Sequence, residues 1–247
     1  MHIGRRTSPM RILFGLLAAL CLATPALAQS RPVTVVELFT SQGCNSCPPA
    51  DAYLEDLAEL DDVLALGYHV DYWDRLGWKD TLGDPAFTAR QYGYAETLQR
   101  RGVYTPQAVI DGRQHLVGSN RPAIETALAQ KATREAPMLS LDTGDGSTIS
   151  ISLSGADGSD PSLHLTIVRY IEEAAVPIER GENAGKTIAY VNAVRSVKAM
   201  PLPDGNATLN VPRLQKGEGL AVLLQAYSPK GAPGPILAAA RYEAVDD

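Results

Sequence analysis

Cysteine is the scarcest reactive side chain in this chain of 247 residues, which holds three: Cys21, Cys44 and Cys47. So few exclude a small scaffold stapled by several disulfides. With no second cysteine pair and no closely spaced histidine pair, a tetrahedral zinc site has too few ligands. Basic residues are outnumbered as well, 22 Lys and Arg against 28 Asp and Glu, for a formal net charge of −6. That balance argues against nucleic acid or an anionic membrane as a partner. Long apolar runs are missing, since the stretch from Ile12 to Ala23 is too short to span a bilayer comfortably. No internal repeat is present.

What the N-terminal stretch does carry is an export pattern. Arg5, Arg6 and Arg11 lead into it, and Ala26-Leu27-Ala28 ends it as a small-x-small cleavage site. Residues 1–28 are therefore expected to be a signal peptide. Thr7-Ser8-Pro9 fits poorly after Arg5-Arg6 for twin-arginine export, which favours the general secretory route. Leu20 is too bulky for a lipidation site at Cys21, so Cys21 is expected to leave with the signal. The mature chain then has no membrane span, a periplasmic or secreted location, and two cysteines, both in Cys44-Asn45-Ser46-Cys47. A single close pair in a chain of this size is expected to be chemical rather than structural.

The flanks of that pair are informative. A β-branched apolar run from Val33 ends at Phe39, a polar turn carries Gly43, and Ala50, Leu54, Leu57 and Ala58 then repeat at helical spacing. A strand feeding a dithiol at a helix start is the setting in which C-x-x-C reads as thioredoxin-like. Residues three apart share a helix face, so the sulfurs can meet. The positive end of the helix favours a thiolate at Cys44. Cys44 is expected at the exposed end of the turn, with Cys47 one turn inside.

Strand and helix patterns alternate as far as about Gln130. A buried strand runs over Val63–Val70, and Asp84-Pro85 opens a helix that Gly102 closes. Val103–Ile110 is a third strand, Asp111-Gly112 a hairpin turn into Arg113–Val117, and Ser119 or Asn120 caps a last helix. Beyond Pro137 only short alternating runs occur, separated by turn-rich segments. The expected fold is an α/β thioredoxin-like domain over 29–136, followed by a small all-β, sandwich-like domain over 137–247.

Cys44 to Asp51 together with Tyr104-Thr105-Pro106 resembles the thioredoxin superfamily. Val36 to Asp51, His69-Val-Asp71-Tyr-Trp73-Asp74 and Gly181-Glu-Asn-x-Gly-Lys186 look more closely like an uncharacterised family of bacterial secreted thioredoxin-like proteins. The resemblance implies a cis bond between Thr105 and Pro106, which would position a substrate segment, and a buried carboxylate upstream of the dithiol that relays a proton to Cys47. Glu37 is the candidate relay, offset by one position from the superfamily pattern. Gly43 stands where thioredoxin has tryptophan, and Asn45-Ser46 with Pro48-Pro49 departs from the usual dithiol surroundings.

The expected activity is thiol–disulfide exchange with protein thiols or disulfides of the cell envelope. Cys44 attacks, Cys47 resolves, and Thr105, Pro106 and Trp73 position the substrate. No cofactor is expected beyond the redox-active Cys44–Cys47 disulfide. Two other readings stand beside it: copper(I) held by Cys44, Cys47 and His69, as two thiolates and an imidazole suit a soft ion, or a redox-inert interaction module. Asp51 is read as an acid complementing the helix dipole. The β half is expected to dock partners or to form a homodimer.

Overall fold

The computed structural model describes residues 1–2, 33–130, 137–142, 149–202, 207–209 and 214–243. The expected signal peptide lies almost wholly outside them. No described helix is long and apolar enough to cross a membrane.

The elements of the first half stand close to where the pattern puts them. Strand β1 spans Thr34–Thr40, helix α1 Pro48–Ala58, β2 Val63–His69 and α2 Pro85–Thr97. Strands β3 (Gln107–Ile110) and β4 (Gln114–Val117) and helix α3 (Arg121–Ala129) follow. Local chemistry explains the boundaries. Asp84 caps α2 by accepting the Ala86 amide at 2.8 Å, ahead of Pro85. At the β3–β4 turn Asp111 and Gly112 both have positive φ, and a Cβ on Gly112 would stand 2.1 Å from the Gly234 carbonyl oxygen. Glycine is therefore required there twice over.

The remaining strands are β5 (Met138–Asp142), β6 (Ile149–Ser154), β7 (Leu163–Pro177), β8 (Thr187–Pro201), β9 (Ala207–Leu209), β10 (Glu218–Tyr227) and β11 (Pro233–Glu243). Their assembly corrects the expected fold class. There is no α/β thioredoxin-like domain followed by a small all-β sandwich. Eight strands form one mixed sheet in the order β11-β10-β7-β8-β2-β1-β3-β4, and β5-β6-β9 form a separate three-stranded sheet. Sheet continuity comes from β2, whose outer edge meets β8 in parallel at Gly67 and Ala193. Asn192, at positive φ, donates its side-chain amide to the Ala65 carbonyl at 3.0 Å beside this junction. An alternating pattern identifies a strand but not the edge it pairs with, so the late strands extend the first sheet instead of closing on themselves.

Two faces of the sheet carry different helices. Val36, Leu38, Val63 and Ala65 pack with Ala50, Leu54 and Leu57 of α1 and Ile124 of α3. Val35, Phe39, Leu64, Leu66 and Tyr68 pack with Phe87 and Tyr94 of α2, and this cluster continues into Val168, Val194, Leu223 and Ile236. One core thus joins both halves of the chain.

Inside it lies a buried ion pair. Arg90 donates Nε to Glu37 Oε1 at 2.7 Å and Nη2 to Oε2 at 3.1 Å. Nη2 also reaches Gln225 Oε1 of β10 at 3.0 Å, and the Tyr94 hydroxyl donates to Glu37. Removing one partner of such a pair leaves an uncompensated charge in the interior. Arg90→Met is expected to lower unfolding free energy in urea by about 3–5 kcal/mol, and Glu37→Leu/Arg90→Met to recover most of that. A loss below about 1 kcal/mol for Arg90→Met would show that water reaches the pair.

Candidate dithiol site

Cys44 and Cys47 are joined as a disulfide, Cα atoms 5.4 Å apart, at the start of α1. Cys47 is the helix N-cap, and Pro48 and Pro49 fill the first two helical positions. Neither proline has an N–H to offer, and the amides of Ala50 and Asp51 both bond to the Cys47 carbonyl. Stabilisation of a Cys44 thiolate by this helix therefore rests on its dipole, not on amides donated to sulfur. The expected exposure of Cys44 is corrected: it is 1% exposed and Cys47 is 0%. Asn45 and Ser46 between them face solvent, while the two cysteines are turned inward. Ser46 Oγ stands 3.4 Å from Cys44 Sγ.

Thr105-Pro106 is a cis peptide. A Cβ on Gly118 would come within 3.2 Å of the Cβ atoms of both Ala50 and Pro106, which sets Pro106 against the first turn of α1. Thr105 accepts the indole N–H of Trp73 at 2.8 Å. Trp73 in turn lies over Gly43, where a Cβ would be 3.1 Å from its own, so a side chain at position 43 has no room. The structure thus gathers Cys44, Cys47, Trp73, Thr105 and Pro106 around one helix start.

It does not bring Glu37 there. Side chains alternate along a strand, so Glu37 shares the α2 face with Val35 and Phe39, and Thr40 faces α1. The one-position offset places the carboxylate on the far side of the sheet, where Arg90 holds it.

The buried carboxyl group that α1 itself carries is Asp51, one helical turn after Cys47 and 4% exposed. Thr40 Oγ donates to its Oδ1 at 2.6 Å, while Oδ2 has no partner within the protein. Burial pushes this carboxyl up from its ordinary 3.8 to about 7, against the Thr40 hydrogen bond and the His69 charge, and Asp80 adds to the rise. The helix spacing from Cys47 was a usable signal for it; burial was not readable locally.

His69, on the same face as Asp51, is held by Asp80 and Tyr190. Its Nδ1 is 2.9 Å from Asp80 Oδ2, and Tyr190 of β8 packs edge-on, ring centroids 4.6 Å apart. Burial would raise the Asp80 carboxyl, but His69 and the amides of Gln42 and Leu82 hold it below its ordinary value. The Tyr190 hydroxyl is buried without a partner within the protein, and burial with the charges of Asp51 and Asp80 pushes it up. Among the described residues no three His, Cys, Asp or Glu side chains gather as a metal site, so the set Cys44, Cys47 and His69 is not assembled.

Gln42, just before the motif, is a hub that local pattern did not reveal. Its amide N–H donates to Asp80 at 2.8 Å, and its side-chain oxygen accepts from Trp78 Nε1 at 2.8 Å. Asn183, between β7 and β8, donates Nδ2 to the carbonyls of Gln42 at 3.0 Å and Cys44 at 2.9 Å.

Fold and site together define a mixed-sheet protein with a C-x-x-C disulfide at a helix N-terminus, its turn bonded to a segment from its own C-terminal half. The chain belongs to the family described as Protein of unknown function (DUF1223), which matches residues 35–225. The uncharacterised-family part of the motif resemblance is thereby met. A crystal structure of a protein from Agrobacterium tumefaciens is 34% identical, with a TM-score of 0.74, over 87% of this chain and 96% of that one. HBP35 of Porphyromonas gingivalis shares the fold at a TM-score of 0.62 with 14% identity, over 87% of this chain and 76% of that one. No curated protein matches.

A carboxyl held at about 7 binds its proton more tightly in the folded than in the unfolded chain. Stability therefore falls as pH rises from about 4 through about 7. Relative to Asp51→Asn, the wild type should lose up to about 4 kcal/mol across that window. Parallel stability–pH curves for the two proteins would mean that Asp51 is not shifted.

Proposed function

We propose that this protein is a thiol–disulfide oxidoreductase of the cell envelope, exchanging its Cys44–Cys47 disulfide with protein thiols. The observation that carries this reading is a disulfide at a helix N-terminus with a buried acid, Asp51, one turn below its inner sulfur. A cis proline beside the same turn and the motif's resemblance to the thioredoxin superfamily support it. The basic, apolar segment ending at Ala28 supports a periplasmic or secreted location.

A partner thiolate attacks Cys44 Sγ, a partner–Cys44 bond forms, and the Cys44–Cys47 bond breaks. The electron pair passes to Cys47 Sγ, which takes the proton held by Asp51. The partner's second thiol then attacks the partner sulfur of the mixed disulfide, its proton passing to the released Cys44 sulfur, and Asp51 recovers through solvent the proton that the first partner thiol gave up. The partner dithiol has lost two electrons and two protons and become a disulfide; Cys44 and Cys47 have become thiols. In reverse, the Asp51 carboxylate takes the proton from Cys47. A carboxyl titrating near 7 suits both directions. Asp51 thus takes the relay role first sought in Glu37.

Cys47→Ser is expected to accumulate mixed disulfides with envelope proteins, and Cys44→Ser to trap none. If neither variant traps a partner, the exchange reading fails. Asp51→Asn should slow exchange on the order of 10²-fold without unfolding the protein and flatten its pH dependence near neutrality. An unchanged pH–rate profile would remove Asp51 from the mechanism.

A further inference from the structure

The hairpin tip between β7 and β8 contains Gly181-Glu182-Asn183-Ala184-Gly185-Lys186, the most distinctive polar run of the C-terminal half. Five of these six residues are exposed, and Asn183 alone is buried, at 1%. Its side chain leaves the hairpin and crosses to the dithiol turn. Both hydrogens of the amide are used there, one on the Gln42 carbonyl and one on that of Cys44. The remaining atom, Oδ1, accepts from Lys186 Nζ at 2.8 Å, so every polar atom of the amide has a partner. A charged donor on Oδ1 polarises the amide and strengthens both N–H bonds.

The tip itself is held from within. The amides of Ala184, Gly185 and Lys186 bond to the carbonyls of Gly181, Ile178 and Asn183. Ile178 and Ile188 at the hairpin's neck pack with Leu82 and Trp78 of the segment that also flanks the dithiol. Beneath all this, Cys44 and Cys47 are both sealed from solvent. An in-line approach to Cys44 Sγ needs open space along the S–S axis, which a disulfide this deeply buried does not offer.

We infer that Asn183 is a positioning residue: it latches the β7–β8 hairpin tip as a strap across the dithiol turn, and a partner thiol reaches Cys44 once this two-carbonyl clamp opens. The inference rests on the exchange reading for its purpose, not for its geometry. The strap makes the oxidised protein slow toward chance thiols and quick toward a partner able to displace the tip. Lys186 tightens the clamp through the Asn183 carbonyl oxygen.

The test is reduction of the purified, oxidised full chain by dithiothreitol, followed by thiol release. Asn183→Ala should be reduced about tenfold faster than wild type, and Lys186→Met about two- to fivefold faster, the rates being insensitive to urea below the unfolding transition, as local opening requires. An unchanged rate in folded Asn183→Ala overturns the strap. So does a faster rate that climbs with urea, because the acceleration would then come from global unfolding. Should the alanine variant not fold, the wild type decides: its native disulfide must be reduced at least about tenfold slower than the same disulfide in the urea-unfolded chain, as expected of a protected site. Equal rates would mean that nothing covers it. Dithiothreitol needs no physiological partner, so failure here strikes the strap, and failure of Cys47→Ser to trap partners strikes the exchange function.

Discussion

A carboxylate and a guanidinium buried together, Glu37 and Arg90, tie three distant parts of this chain into one body. Glu37 sits in the middle of β1, Arg90 one face away on α2, and Gln225 arrives from β10 to accept a further hydrogen bond from Arg90 Nη2. Neither charge can be left alone in such an interior, because the cost of an unpaired buried ion exceeds the attraction that a solvated pair would give up. Their mutual satisfaction requires β10 to return beside the first half. A single apolar cluster running from Val35 through Tyr94 to Leu223 and Ile236 then makes that return favourable.

This arrangement divides polar work between the two faces of the sheet. On the α2 face Glu37, Arg90, Tyr94 and Gln225 are bonded to one another, while the Tyr68 hydroxyl in the same cluster is buried without a hydrogen-bond partner. On the α1 face one of the incompletely bonded groups is an acid. Asp51 keeps one oxygen and Tyr190 its hydroxyl without a protein partner, beside a disulfide and the His69–Asp80 pair. Groups left in that condition carry perturbed protonation, and perturbed protonation beside a dithiol is what proton-coupled exchange uses. The ion pair on one face holds the fold; the incompletely bonded acid on the other leaves a proton to move.

The dithiol is also a place where both halves of the chain meet. Trp73 and Trp78 fix the long connection after β2 to Thr105 and Gln42, and Asn183 reaches in from a hairpin 139 residues from Cys44. Removing the second half would therefore expose the dithiol turn and free the edge of β2. The β7–β8 hairpin belongs to the site as much as to the sheet.

Local pattern was enough to place the strand–dithiol–helix unit at Thr34–Ala58, the Asp84 cap, the Asp111-Gly112 turn and most later strands, because each depends on neighbours within a few residues. Local pattern singled out Cys44 and Cys47, and the family resemblance added Thr105 and Pro106; the fold gathers these with Trp73. Gln42 and Asn183 stand inside motif runs of the sequence, but their roles were not legible there, because they come from partners far along the chain. Glu37 and Asp51 exchanged places for a related reason: an acid in an apolar run looks the same on either face of a strand, and only packing against α1 or α2 separates them. The joining of eight strands into one sheet was likewise beyond local reading. A strand's alternation records which of its faces is buried, whereas the edge it pairs with is chosen by long-range contacts such as Gly67 with Ala193 and Arg90 with Gln225.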